Sequence, residues 1–485
     1  MQNRYITRHF EEGYVTVFVS LILGAMMLFF VFALELSYLY AGRARAARAV
    51  TDCTRGFFGD FDPAIFDRYH LLMIDDTYGT GSDGYLEERL SKRLEDNLNS
   101  GKSVPFSYEV NDLILSERIG LLDNDLKALK EQIHDYCLYA TVRNVMDELK
   151  EADENGEDGG INYLPGDDEN VEEGAEYRDP RSAAGELKGD VLLRYVCPAG
   201  DLPSTAKIDL SSVCSRTNGI SPESSLLSFD FSSEAGVSGL VSSVKLSLSG
   251  ITPPTDSIEF TSYVRALLSD QVNKRDDSVM KPELEYLLFG RDTDSENVEN
   301  AVNDIILIRF PFNYSTLKKS PTKQALITAA ATGIALISGV PIGVLKVLLN
   351  AAASYMESVM DVKALLAGER VSLIKTEAEW RLSLKAFLGK VFKQRYTGSS
   401  GKGLTYRDYL TILLLLKPNK KACYYRLLDI IALNCGEEGD MPDMDHMICG
   451  AGFACRIELI PRFSEGLIRL HPEAYEMEYE RDANY

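Results

Sequence analysis

From Tyr14 to Leu34 the chain runs for 21 residues without a charge, YVTVFVSLILGAMMLFFVFAL, with Glu12 just before it and Glu35 closing it. At about 1.5 Å per residue this makes roughly 30 Å of helix, the thickness of a bilayer's hydrocarbon core. Tyr14, Tyr38 and Tyr40 stand where interfacial aromatics belong. The run is longer than the apolar part of a secretory signal, and no clean A-x-A site follows it, so the pattern predicts a retained transmembrane helix. No proline interrupts residues 35–57. There Ala46, Ala49, Val50, Cys53 and Phe57 share one helical face, with Arg45, Arg48, Asp52 and Arg55 roughly opposite. The expectation is one long helix over 14–60, apolar all round in its first half and amphipathic in its second. Such a stripe gains nothing from water, so it should be covered by the protein's own ectodomain or by another helix of the same kind.

Beyond the helix the periodicity keeps changing. Leu71–Ile74 reads as a short strand before a turn, Leu86, Leu90, Leu94 and Leu98 as a helix, residues 104–115 as a strand, and 123–150 as a second helix. Residues 151–179 carry twelve acidic residues, five glycines and one basic residue, Arg178, which marks a solvated loop. Asp153, Asn155 and Glu157 begin like a calcium loop. Asp158 then stands where glycine is needed, and Leu164 where the bidentate Glu should be. Val191–Val196, Ala206–Leu210 and Leu226–Phe231 are short apolar runs in a Ser/Gly-rich region, read as strands or loop segments. Residues 263–434 turn helical. Met447–Pro461 looks extended, and the polar tail past His471 is expected to fray.

Ala325–Leu345 is also uncharged over 21 residues. It is diluted by Ala, Thr, Ser and Gly, and Gly339, Pro341 and Gly343 break it, so it predicts a buried helical hairpin rather than a second span.

Composition changes the picture in two ways. With 51 Lys+Arg against 73 Asp+Glu, the net charge of −22 argues against nucleic acid, which demands clustered cations, and against docking of the whole body on anionic lipid. At 485 residues and 45% hydrophobic, the chain is long enough for two or three packed domains. Charge does not orient the anchor: Arg4 and Arg8 on one side nearly balance Arg43, Arg45 and Arg48 on the other.

Candidate chemistry is sparse. The eight cysteines show no C-x-x-C spacing, which argues against zinc and dithiol catalysis. Cys197 with Cys214, and Cys449 with Cys455, are candidate disulfides, since each pair is close in sequence within loop- or strand-like segments; Cys53 and Cys137 read as buried thiols. Gly398–Gly403 (GSSGKG) lacks phosphate-loop spacing. Of the five histidines only His446 has acidic and thiol neighbours, Asp440, Asp443, Asp445 and Cys449, in a solvated turn. No catalytic signature is present, so no enzyme activity, metal or cofactor is expected.

Three groups of residues carry a resemblance. EEGYVTV at 11–17, the apolar run, and ARAARAVTDCTRGFFGDFDPAIFDRYHLLMID after it resemble the N-terminus of TadE/TadG-like pilus assembly proteins. They look closer still to an uncharacterised membrane-anchored family encoded with Tad (Flp-type) pilus genes in Gram-positive bacteria. The blocks ELEYLLFGRDTDSENVENAVNDIILIR (283–309), ESVMDVKALLAGERVSLIKTEAEW (357–380) and GLTYRDYLTILLLL (403–416) look like that family's hallmark segments. The resemblance implies a leader over 1–13, cut between Gly13 and Tyr14. Phe18 occupies the fifth position after that point, where pilin-like proteins carry Glu. It further implies a bulk outside the cytoplasm and partners in the bilayer, the Tad pilus platform or pilin-like proteins.

The resulting expectation is an α+β protein with a single N-terminal transmembrane helix extending into a stalk. The segments are a leader at 1–13, the transmembrane and stalk helix at 14–60, an α/β membrane-proximal domain at 61–150 and an acidic linker at 151–187. A Ser/Gly-rich strand and loop region at 188–262, an α-rich domain at 263–434 and an extended tail segment at 435–485 complete it. Functionally it reads as an accessory or pseudopilin-like part of a Tad-type machine; a cell-surface adhesin or binding ectodomain is the alternative.

Overall fold

One helix, α1, runs without interruption from Asn3 to Phe58, about 84 Å at 1.5 Å per residue. Its two halves behave differently in the computed structural model, which describes residues 3–79, 85–99, 106–154, 189–225, 254–388, 403–417, 420–436, 441–460 and 475–484. Side chains from Tyr14 to Leu34 are exposed almost throughout, whereas packing begins at Glu35 and continues to Phe57. The chain is a mixed α+β protein with one small antiparallel sheet, divided into Met1–Leu129 with Pro442–Tyr485 as one unit, and Lys130–Met441 as the other.

In the first unit α1 is followed by α2 (Pro63–Tyr69), β1 (Ile74–Asp75), α3 (Tyr85–Asn99) and β2 (Tyr108–Gly120), and the chain returns as β3 (Met447–Leu459) and β4 (Glu476–Asn484). Asp62 caps α2, its Oδ1 accepting from the Ala64 N–H at 2.8 Å, and Pro63 sits in the first turn, where no N–H is needed. β3 is the central strand. It pairs antiparallel with β2 from Leu459 to Ile448, with β4 from Glu458 to Gly450, and with β1 at Ile448 and Met447. Two edges must serve three partners, so β1 and β4 follow one another along the edge opposite β2. Ala451, Phe453, Cys455, Ile457 and Leu459 alternate onto the face that meets α1 and the leucine ridge of α3. The leucines of that ridge, Leu86, Leu90, Leu94 and Leu98, are all buried, as one face of a helix should be.

Two expectations about the C-terminus are corrected here. The tail past His471 does not fray from Tyr475 on: Tyr475, Met477 and Tyr479 alternate with Glu476, Glu478 and Glu480, and this period of two feeds the strand β4. Nor is 435–485 a separate segment, because β3 supplies the middle of a sheet whose other strands come from residues 74–120.

Helix α4 (Asp123–Glu154) carries the chain from one unit into the other and opens with three left-handed residues, Asn124, Asp125 and Leu126. The second unit contains α5 (Asp190–Val196), α6 (Cys214–Thr217), α7 (Thr255–Leu267), α8 (Glu283–Phe289), α9 (Asp294–Lys319), α10 (Pro321–Ser338), α11 (Ile342–Leu366), α12 (Leu384–Leu388), α13 (Tyr406–Leu416) and α14 (Lys421–Cys435). Val191–Val196 is therefore helical rather than extended. Its buried residues Leu192, Leu193 and Val196 share one helical face, which packs on α9 and α11. Ala206–Leu210 contributes a single bridge, Lys207 to Thr293, and Leu226–Phe231 lies outside the described residues.

The Gly339–Pro341 break separates α10 from α11, with Gly339 at φ +70 as the left-handed cap. The hairpin is not buried throughout, as the sequence pattern had suggested. α10 buries only Ile327 and Ala331, and α11 packs from Leu345 onward; the turn between them lies open. α11 is long and apolar enough to cross a membrane by composition, but most of its apolar window is buried against α9 and α13, which makes it a core helix.

Candidate functional site

The first candidate region is the packed half of α1. Ala46, Ala49, Val50, Cys53 and Phe57 are all buried in one cluster with the α3 leucines and the inner face of β3. The Phe57 ring meets that of Phe453 edge-on at 5.2 Å. Gly42 lets the helix approach the sheet: a Cβ placed there would lie 2.5 Å from Leu459 Cδ2. The Tyr108 hydroxyl donates to the Gly42 carbonyl at 2.9 Å, and that of Tyr38 to the Ile460 carbonyl at 3.0 Å. Glu35, the charge that ends the apolar run, is buried and accepts from the Tyr475 hydroxyl at 2.6 Å. This carboxylate thus marks the level at which α1 passes from its uncovered half into its own domain. Gly13 and Tyr14 lie within the unbroken helix, and Tyr14 is exposed.

The cysteines are all free thiols, which corrects the disulfide expectation. Cys449 and Cys455 sit six residues apart on one strand, about 20 Å at 3.3 Å per residue, and a bridge requires Cα atoms within about 7 Å. Cys197 caps α5 and Cys214 begins α6, both buried and unbonded. Burial pushes the thiols of Cys53, Cys197 and Cys455 up to about 11, far from thiolate reactivity at neutral pH. His446 Nδ1 faces Asp76 Oδ1 at 3.3 Å rather than its sequence neighbours. Among the described residues no group of three or more His, Cys, Asp or Glu is placed to hold a metal ion.

The second region escaped the sequence reading, although the three quoted blocks of the second unit meet there. Arg309 on α9, Glu357 and Asp361 on α11 and Lys375 in the following loop form a quartet without solvent access. Asp361 Oδ2 accepts from Arg309 Nε at 3.0 Å, Arg309 Nη2 at 2.9 Å and Asn313 Nδ2 at 2.9 Å, while Oδ1 takes the Lys375 ammonium. Arg309 Nη1 donates to the Leu373 carbonyl at 2.9 Å and the Tyr409 hydroxyl at 3.1 Å. Glu357 binds Lys375 and accepts the backbone N–H groups of Arg381 at 2.9 Å and Leu382 at 2.7 Å. Two cations and two anions leave the quartet neutral. Burial works against the ionised form of Asp361, but Lys375 and Arg309 outweigh it and hold the carboxyl below its ordinary range. Burial raises the Glu357 carboxyl, with Lys375 opposing. A signal for this network was present: Arg309 with Asn313, and Glu357 with Asp361, are polar pairs at i, i+4 inside apolar helical runs.

A neighbouring set of polar groups fixes α8, which is buried on every side despite two glutamates. Glu283 accepts from the Ser269 N–H at 2.7 Å and the Asn434 amide at 2.7 Å. Glu285 accepts from the Tyr406 hydroxyl at 3.0 Å and the Gln271 N–H at 3.0 Å; burial, and next Asp270, push its carboxyl up to about 8. Gly290 ends α8 at φ +64, where a Cβ would also strike Arg426 Nε at 2.4 Å, so the position admits only glycine. These groups are enclosed and mutually satisfied. Their chemistry is to specify one packing of the helices, since each lost partner strands a buried polar group.

A family of unknown function, DUF5702, matches residues 170–459, more than half of the chain, and the protein belongs to it. No curated protein and no solved structure matches the chain.

Proposed function

We propose that this member of the family is a membrane-anchored, non-catalytic component of a Tad-type pilus assembly system, an accessory or pseudopilin-like part whose head lies outside the cytoplasm. The observation that carries the reading is the division of α1. One continuous helix offers a charge-free, uncovered half of bilayer length and then embeds its second half in its own α/β head. A tether needs no such rigid continuation. A part that transmits position from membrane to head does, and pilin-like proteins share this layout. The enclosed, paired charges of the second unit favour a scaffold over a catalyst, because a catalytic group must reach its substrate.

The test replaces residues 14–34 with an unrelated transmembrane helix of equal length in the native host. The reading expects the swapped protein to remain folded and in the membrane but to lose co-purification with the pilus platform. Retained co-purification and piliation would reduce the anchor to a tether and favour a binding ectodomain. Cysteine labelling of intact protoplasts checks the topology: protection of residues 60–300 until lysis would place the head on the cytoplasmic side.

A further inference from the structure

The turn of the α10–α11 hairpin is an uncovered apolar tip. Leu336 is 85% exposed and Ile337 91%, with Ile342 and Val344 each 43%. No charge occurs from Ala325 to Leu345, while Lys323 and Lys346 flank the run. Aliphatic exposure on this scale costs free energy in water. We propose that this tip, Thr332–Val344, inserts into the interfacial layer of the same bilayer that holds α1, a second lipid contact that rests on the anchor reading above.

Three features select lipid as the occupant. The first is reach. From the last buried residue of α10, Ala331, to Ser338 is seven residues, about 10 Å of helix. That matches the roughly 5–10 Å depth of interfacial segments and falls far short of a 30 Å span. The second is polar satisfaction, which hydrocarbon demands and a wet surface does not. The Thr332 hydroxyl donates to the Thr328 carbonyl at 2.8 Å, and the Ser338 hydroxyl to the Ile334 carbonyl at 2.8 Å. Gly339 N–H is bonded to the Ala335 carbonyl at 2.9 Å, and Pro341 has no N–H to satisfy. The third is charge. A chain of net −22 gains nothing from anionic headgroups, so a neutral wedge is the contact open to it, and the anchor keeps a bilayer within reach of this chain.

The experiment uses the full-length Leu336→Trp variant in phosphatidylcholine vesicles, with and without bromine on the acyl chains. Leu336 touches little, so the fold is unchanged, and the sole native tryptophan, Trp380, is 3% exposed and serves as the baseline. Insertion predicts that brominated lipid quenches the introduced indole about two-fold or more while aqueous iodide does not. Quenching by iodide but not bromolipid would place the tip in water and overturn the proposal; resistance to both would mean that protein covers it, and would overturn it equally. Alkaline extraction of the same vesicles scores the anchor separately. A chain that is released refutes the anchor reading, whereas a retained chain with an iodide-quenched indole refutes the hairpin alone.

Discussion

Asp361→Asn is the sharpest test of the buried quartet. The substitution keeps the shape of the side chain and removes one charge. Arg309 and Lys375 are then left with Glu357 alone, so a neutral cluster without solvent access gains a full positive charge. Removing one member of a buried ion pair costs about 3–5 kcal/mol, because the stranded partner keeps its desolvation penalty. That is a large part of the about 5–15 kcal/mol that holds a domain together. Trp380 reports on it directly: it is the only tryptophan, it is buried, and it immediately precedes the Arg381 and Leu382 amides that Glu357 holds. In urea titrations of the detergent-solubilised full chain, with a slope of about 2 kcal/mol per molar, the Trp380 midpoint should fall by about 1.5–2.5 M. The double replacement Arg309→Met with Asp361→Leu should recover more than half of the loss, since it removes both charges. A shift below about 0.5 M, or one abolished between 0.1 and 1 M salt, would show that water reaches the cluster and would refute the reasoning.

Gly42→Leu should wedge α1 away from Leu459 and cost about 1–3 kcal/mol by overpacking, read as faster proteolysis of β3 with α1 still helical. Glu285 has its carboxyl raised to about 8, so the folded protein binds a proton there that the unfolded chain releases near its model value of 4.5. Stability from this group is complete below about pH 4.5 and lost as pH rises to 8, with a slope up to about 1.4 kcal/mol per pH unit. Glu285→Gln should therefore lose this pH dependence and gain on the wild type between pH 5 and 8; parallel profiles would contradict the assignment. Mass spectrometry without reductant should find no Cys449–Cys455 bridge, and native alkylation should leave Cys53, Cys197 and Cys455 unmodified until denaturant is added.

What the sequence by itself determined are the features written in local periodicity. The 14–34 run, the stripe Ala46, Ala49, Val50, Cys53 and Phe57, and the leucines of α3 each declare one face of one helix, and burial follows that face. Gly339 and Pro341 end a helix wherever they occur, so the hairpin was legible, but whether its turn is covered depends on what surrounds it. β4 was missed because three glutamates hide its alternation, and it becomes a strand only beside β3. The place of β3 at the centre of a sheet with residues 74–120 depends on pairing across more than 300 positions, which no window of sequence contains. The cysteines show the same limit: Cys449 and Cys455 are close in number, yet an extended strand holds them about 20 Å apart. The quartet required most of all from the tertiary structure. Arg309, Glu357, Asp361 and Lys375 are ordinary charges along the chain, and only the packing of α9 against α11 and the following loop removes water from all four at once and makes each dependent on the others.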